Sequence, residues 1–516
     1  MKMRMSALPA FAIALLSLFA GSACHRAAAT PEDALEVAIP AGPATLDPRL
    51  ATDAEGSKIS SLICDGLFGL DDFLEPIPLI AESYEQLSAS SYRIRIRPGV
   101  KFSDGSALAA KDVVFTFKSI IEGRIASPFK AAFQRISRIE AEDGLTVRIE
   151  LSEVYAPFLN MLTRGIVSEK AAVAAGEDFG RAPLCAGPYR LLRFVPDKVV
   201  ELAANDSYFG ERPNIPRLNF HIIQDDNIRV LKLLKGDVDL VQNAVPRLLI
   251  KAMLKREPGL SMKEDVGIVV AYVGLNLADP LLAKAEVRRA VAYAIDREAI
   301  IGHRFRGMAR PANSIISPEN WAYDESLGQY PYDPAKARAM LDAAGLPDPD
   351  GAGPAMRFNL TLKTSTVKER IDIARMIAHQ LGRVGIGVRV VPFEWGTFYR
   401  DIKKGNFQAY TLSWVGVTEP DIFYNVCRSD MTPPEGYNRG RYSNPEVDLL
   451  VAEGRAALSE DERKRIYGRV QQILFRDLPF IPLWYETNYV IYREGLEGVS
   501  VRPDASYSVF AKIKKP

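Results

Sequence analysis

Histidine is nearly absent from this chain: four occur in 516 residues, His25, His221, His303 and His379, and no two fall at metal-ligand spacing. There is no His-Glu-x-x-His, no Gly-x-Ser-x-Gly and no Gly-Lys dipeptide, which excludes zincin, nucleophile-elbow and Walker-type phosphate-loop chemistry. Gly385-Ile386-Gly387 lacks the third glycine of a dinucleotide fingerprint and follows a helical pattern instead of a strand. The paired acids Asp71-Asp72 and Asp225-Asp226 stand in turn-like sequence, where carboxylates cap and turn the backbone. Charge excess is missing too: 65 Lys and Arg against 64 Asp and Glu leave +1, so no whole-protein field exists to hold nucleic acid. With no catalytic set, no cofactor motif and no metal cluster, the chain reads as a binding protein that meets its partner at a local site.

A durable membrane span is also lacking. The run from Ala7 to Ala20, interrupted by Pro9 and Ser17, is shorter than the about 20 apolar residues a spanning helix needs. Lys2 and Arg4 precede it, which makes a charged n-region and an apolar h-region, the pattern of an export signal. Gly21-Ser22-Ala23-Cys24 resembles a bacterial lipobox, although Gly21 stands where such sequences usually carry Leu. That resemblance implies a lipoprotein signal peptide over residues 1–23 and lipidation of Cys24. The mature protein is then anchored to a membrane on the periplasmic or outer envelope face. The alternative is an ordinary signal peptide cut after Ala23 or among Ala27 to Ala29. Either way the protein is exported.

Three further cysteines, Cys64, Cys185 and Cys427, show no zinc spacing, and their odd number allows one bridge at most. Cys64 with Cys185 is the one pair to consider, since both sit in apolar contexts within one lobe; three buried free thiols are the alternative.

What the chain does contain is ordinary globular composition, 47% hydrophobic and 25% charged, at a length that divides into two or three compact units. Arg93-Ile94-Arg95-Ile96-Arg97 alternates strictly and predicts a half-buried strand; Asp112 to Ile120 predicts an amphipathic helix. Strands are expected at Thr146 to Leu151, Tyr189 to Phe194, Val199 to Ala203 and Leu218 to Ile223. In the second half, helices at Ala285 to Ile301, Pro334 to Ala344 and Ile371 to Val384 are each closed by a glycine, Gly302, Gly345 or Gly385. Strands follow at Gly387 to Pro392 and Gln408 to Trp414. Helix-then-strand alternation argues for an α/β lobe beside a strand-richer one, with Phe480 to Arg493 as the path by which the chain returns.

Pro78-Leu79-Ile80-Ala81-Glu82-Ser83, Val100-Lys101-Phe102-Ser103-Asp104-Gly105-Ser106 and Asp112-Val113-Val114-Phe115 resemble the signature of the family 5 extracellular solute-binding proteins of ABC importers, the oligopeptide-, dipeptide- and nickel-binding type. The likeness continues through Ala186-Gly187-Pro188-Tyr189, Asn205-Asp206-Ser207-Tyr208-Phe209, Gly236-Asp237-Val238-Asp239, Val287-Arg288-Arg289-Ala290, Ala294-Ile295-Asp296-Arg297 and Asn444-Pro445-Glu446-Val447-Asp448. It implies an α/β, two-lobed periplasmic-binding-protein-like fold of type II, in the large cluster with an extra subdomain in lobe I. Lobe I is expected over residues 30–266 plus 481–516, its extra subdomain over about 78–182, and lobe II over 267–480. The implied partners are a small, possibly peptide-like solute and permease subunits in the inner membrane, with the protein a monomer. A signalling or chaperone-like lipoprotein on the same fold, or a carrier of a metal chelate, is the alternative.

The four tryptophans all fall in the last two fifths of the chain, where rigid rings suit the wall of a cleft. Trp484, in an apolar run, reads as core; Trp321 and Trp395 are candidates. Trp414 ends a strand and opens the segment Val415 to Tyr424, which resembles the family's cleft loop. Peptide-binding members usually carry there an aspartate, three residues after the tryptophan, for the ligand's α-ammonium group; here that position is Val417. Either Glu419 takes over the role or the ligand has no free amino terminus. Tyr424 and the segment Asn438-Arg439-Gly440-Arg441 complete the lobe II candidates, the arginines as clamps for a carboxylate or phosphate or as a solvent-facing turn. From lobe I, the segment holding Asp53 and Glu55 resembles the loop that meets the ligand's other side.

Overall fold

Two long antiparallel strands, Leu260–Leu275 and Phe480–Arg493, form the spine of the computed structural model, which describes residues 34–351 and 353–516. Leu260 to Val266 lie opposite Arg493 to Thr487, and Val270 to Gly274 lie opposite Tyr485 to Phe480, with the register broken between. Gly267 sits in that break because nothing larger fits: a Cβ there would be 2.6 Å from the Glu486 carbonyl oxygen. The signal sequence and Cys24 lie outside the described residues.

Strands add on both sides of this pair to make one eleven-stranded sheet. Towards one edge come Ala409–Trp414, Phe358–Ser365 and Ile386–Phe393; towards the other come Leu240–Gln242, Ala34–Ile39, Arg217–Ile222, Val199–Ala204 and Tyr189–Val195; the eleventh strand, Ala309–Pro311, pairs with Phe480–Arg493 off this path. The core divides accordingly. Val273, Leu275, Leu360 and Leu362 pack with the helices Ala285–Ala294, Pro334–Ala343 and Lys368–Gly382 on one side. On the other, Leu35, Val37, Leu218 and Phe220 pack with Val490, Tyr507, Phe510 and Ile513, so the carboxyl-terminal segment returns to the first strands of the chain.

A separate four-stranded antiparallel sheet, in the order Ala81–Ser88, Ser91–Ile96, Thr146–Leu151, Ile136–Ala141, has its own core under the helix Ala110–Ile121. The arginine-isoleucine alternation behaves as period two requires: Ile94 and Ile96 are fully buried while Arg93 and Arg95 reach acids on the outer face. Asp104-Gly105 forms a tight turn, with Gly105 at φ +85°.

Two local expectations need correction. The helix expected from Ala285 to Ile301 is two helices, because the Asp296 carboxylate accepts the Ala299 N–H at 2.9 Å and starts a new one, Arg297–Ile300. Gly302 does not close it; a π-helical segment, Ile301–Phe305, runs past it to Arg306 and Gly307, both at positive φ. Of the two cysteine arrangements, the structure has the bridge: Cys64 and Cys185 are joined with Cα atoms 4.8 Å apart, and Cys427 is a buried free thiol whose pKa burial pushes up.

The bridge closes a loop between residues 121 apart. Replacing both cysteines with serine frees that loop in the unfolded chain and costs about 2–5 kcal/mol; a lower urea midpoint with an unchanged native circular dichroism spectrum is the expected result.

Candidate functional site

The strand Ala409–Trp414 delivers Trp414 to the sheet's end, and the chain then turns through Gly416, at φ +69°, into the segment leading to the short helix Ile422–Cys427. Trp414 stacks on Tyr272 at 5.9 Å with 8° between planes, and meets Tyr437 edge-on at 5.8 Å. Arg439 lies against the Trp414 face at 4.8 Å and donates to the hydroxyls of Tyr272 at 2.9 Å and Tyr399 at 3.4 Å. Trp395, 53% exposed, stacks on Tyr399 one helical turn away, as residues four apart on a helix do. The sequence candidates Trp395, Trp414 and Arg439 are thus brought into one aromatic wall. Tyr272, Tyr399 and Tyr437 belong to it as well; the spacing of Tyr399 from Trp395 and the adjacency of Tyr437 to Asn438 were the signals for two of them.

The other candidates in this region serve varied roles. Asn438 ties its own loop, donating to the Arg428 and Tyr442 carbonyls and accepting the Tyr442 N–H. Arg441 is exposed, at positive φ, with its guanidinium beside Gly405. Val417 is buried in an apolar cluster with Val270, Ile315 and Phe423, while Trp321 lies half-buried at its margin under the Arg463 guanidinium. Nearer the amino-terminal strands, Asp53 caps the helix Ala54–Ile63 by accepting the Gly56 N–H at 2.7 Å, and Glu55 is buried, accepting the Tyr507 hydroxyl at 2.6 Å.

Beyond Trp414 the same segment meets the small four-stranded unit. Arg455 grips Asp421 through two bonds of 2.8 and 2.7 Å and lies on the Tyr424 ring, and Arg463 pairs with Glu419. Across the gap, Asn160 donates to Glu419 at 2.8 Å, Tyr155 donates to Asp421 at 3.4 Å, and the Ala156 N–H donates to the Arg455 carbonyl at 2.8 Å. Burial pushes the Glu419 carboxyl up to about 7, with Arg463 opposing and Asp421 adding to the rise. Burial likewise raises Asp421 against the pull of Arg455. Among the described residues no cluster of histidine, cysteine and acid side chains is placed to hold a metal ion, and no helix is long and apolar enough to cross a membrane.

The family model described as bacterial extracellular solute-binding proteins, family 5 Middle, matches residues 75–430. The probable di/tripeptide-binding protein 5 of Pseudomonas aeruginosa (strain UCBPP-PA14) is 29% identical over 460 residues, 83% of this chain and 85% of its own. The glutathione-binding protein GsiB of Salmonella paratyphi A (strain ATCC 9150 / SARB42) is 28% identical over 491 residues, 92% and 93% of the two chains. The solved structure of the oligopeptide-binding protein AppA from Bacillus subtilis, in complex with a nonapeptide, superposes with a TM-score of 0.76 at 26% identity, covering 94% of this chain and 99% of that one. NikA from Brucella suis, in complex with Fe(III)-EDTA, gives a TM-score of 0.85 over 94% and 100% of the chains; at 20% identity this likeness shows the two-lobed fold alone.

The Glu419 contact generates a pH prediction. Its pKa is higher in the packed structure than the 4.5 of a solvated glutamate, so the packed form binds the proton more tightly and protonation favours it. The Glu419 contribution to the contact between Tyr155–Asn160 and Glu419–Asp421 therefore strengthens as pH falls from about 7 toward 4.5. Amide exchange at Ala156, corrected for intrinsic rates, should slow over that window in the wild type and stay flat in Glu419→Gln.

Proposed function

The chain belongs to the bacterial extracellular solute-binding proteins of family 5, whose members bind solutes and carry out no bond chemistry, and on that premise we propose that it captures a peptide-like solute between its lobes and delivers it to an ABC permease. Lobe I in this reading comprises residues 30–266 and 481–516 with the extra subdomain at about 78–182, and lobe II comprises 267–480. The observation that carries the proposal is the segment Trp414 to Asp421: one end belongs to an aromatic wall, and the other contacts the Tyr155–Asn160 segment of the opposite lobe. A solute held at the wall by one end of this segment is coupled to lobe contact at the other. Capture then needs only higher affinity for the closed arrangement.

The paired strands with their register break at Gly267 provide the hinge, since two extended crossings bend with little change of packing. The di/tripeptide- and glutathione-binding relatives support a small peptide-like cargo. Export and lipid attachment at Cys24 place the protein at the envelope face where a permease partner is met. The wall candidates Trp395, Trp414 and Arg439 face the solute in this reading, with Asp53 and Glu55 shaping the lobe I loop from behind.

Ligand-linked closure is tested by small-angle scattering on the mature protein with and without saturating di- and tripeptides; the bound form should have the smaller radius of gyration, and identical curves at saturation refute closure. Recognition of the amino end is tested separately. Val417 is apolar and buried, and Glu419 is committed to Arg463 and Asn160, so neither of these two positions offers a free carboxylate to an α-ammonium group. A charge-assisted bond to an enclosed ammonium is worth about 1.5–3 kcal/mol, or roughly one to two decades in affinity. Acetylating the amino terminus of a bound tripeptide should leave its calorimetric affinity nearly unchanged; a loss of that size that Glu419→Gln abolishes would make Glu419 the anchor.

A further inference from the structure

Seven arginines are buried among the described residues, and six of them have their charge or donors answered within the protein. Arg49, Arg229, Arg455 and Arg463 each pair with a carboxylate. Arg288 and Arg297 spend their guanidinium donors on backbone carbonyls, including those of Leu282, Asp477 and Leu478 for the first and Ala292, Tyr330 and Pro482 for the second. Arg439 is the exception. It is 6% exposed, forms no ion pair, and its N–H donors meet only neutral tyrosine hydroxyls, those of Tyr272 and Tyr399 with Tyr410 beside them. A buried cation that always carries its charge is costly to keep without an anion.

Its surroundings are open in one direction. The guanidinium lines a cavity of about 20 Å³ together with Trp414, Tyr437 and Phe480, space for one water or one carboxylate oxygen. Tyr437 is 46% exposed and forms the lip. No carboxylate is free nearby on the adjoining helix, where Asp401 is held by Lys363; Lys403 lies over Tyr399, and Arg441 sits beside Gly405. The wall is therefore cationic and aromatic, and Val417 adds no negative charge to it.

Building on the capture reading, we infer that Arg439 is the anion receptor of the lobe II wall: it takes a carboxylate of the captured solute, with the Trp414 and Tyr437 rings flanking the bound group. The protein then grips its solute by an acidic end and not by an amino end. Tyr272 and Tyr399 fix the guanidinium plane so that its remaining donors point at the entering oxygens.

The test is calorimetric titration of the mature protein with tri-L-alanine and with its carboxyl-terminal amide, using wild type, Arg439→Gln and Arg439→Lys. The wild type should prefer the free acid by roughly ten- to hundredfold. Arg439→Gln should equalise the two forms, and Arg439→Lys, which keeps the charge and loses the planar fork, should retain part of the preference. Near-ultraviolet circular dichroism checks that the aromatic wall survives each change, and the lysine variant decides if the glutamine variant does not fold. Equal wild-type affinity for acid and amide, or a preference that persists in Arg439→Gln, overturns the anion receptor and leaves capture standing. For solutes outside the peptide class, native mass spectrometry of protein purified from its exporting host provides the second arm. An anionic co-purifying solute that Arg439→Gln fails to retain supports the inference, and a neutral or cationic one overturns it. Protein that neither binds the tripeptides nor retains any solute refutes both capture and the anion receptor.

Discussion

The pairing of Leu260–Leu275 with Phe480–Arg493 is the constraint on which the remaining architecture depends. Because both crossings run as adjacent strands of one sheet, neither half can shift without the other crossing bending with it, and the backbone hydrogen bonds of the pair resist twisting apart. The register of the pair is broken between Val266 and Val270 and again between Ala271 and Tyr272. Gly267 makes the first break possible by allowing the backbone to approach the Glu486 carbonyl, and the short strand Ala309–Pro311 pairs with Trp484 to Glu486 beside it. The sheets, helices and returning carboxyl terminus are arranged around this spine.

From the spine outward, one segment joins two kinds of chemistry. Val270 to Leu275 pair with Trp414 to Ala409, so the strand that crosses between halves directly supports the strand that presents Trp414. Seven residues beyond the tryptophan, Asp421 is clamped by Arg455, which in turn accepts the Ala156 N–H through its carbonyl. A short, tightly bonded path thus connects the wall with the contact to the small sheet. Truncating a partner in such a buried ion pair leaves the other charge stranded, which is why these pairs specify a position more than they add stability.

Much of the architecture was legible from period and punctuation. The strand Thr146–Leu151 and the return strand Phe480–Arg493 have the limits their patterns predict, and alternation correctly assigned the faces of Ser91–Ile96. What failed was the reading of Gly302 as a stop, since the helix ends at Ala294 and the Asp296 cap starts a second one. Pairings distant in sequence were illegible for a physical reason: Asn160 meets Glu419 across 259 positions and Tyr272 meets Arg439 across 167, and no local periodicity encodes such contacts. The cysteine bridge was open for the same reason, because apolar context permits both a buried thiol and a buried disulfide.

The arrangement of charge explains how a chain with a net charge of +1 can still discriminate among solutes. A long-range field would attract ions of one sign indiscriminately and would be screened beyond about 8 Å at physiological ionic strength. Here the acids and bases are largely answered in local pairs, Arg455 with Asp421 and Arg463 with Glu419 among them, so little field extends outward. A buried guanidinium answered neither by an acid nor by backbone carbonyls then acts only at contact, where low dielectric and fixed rings make its geometry count. In the proposed reading, discrimination is consequently a matter of which solute group can meet one side chain, Arg439, and the near-zero net charge keeps that choice local.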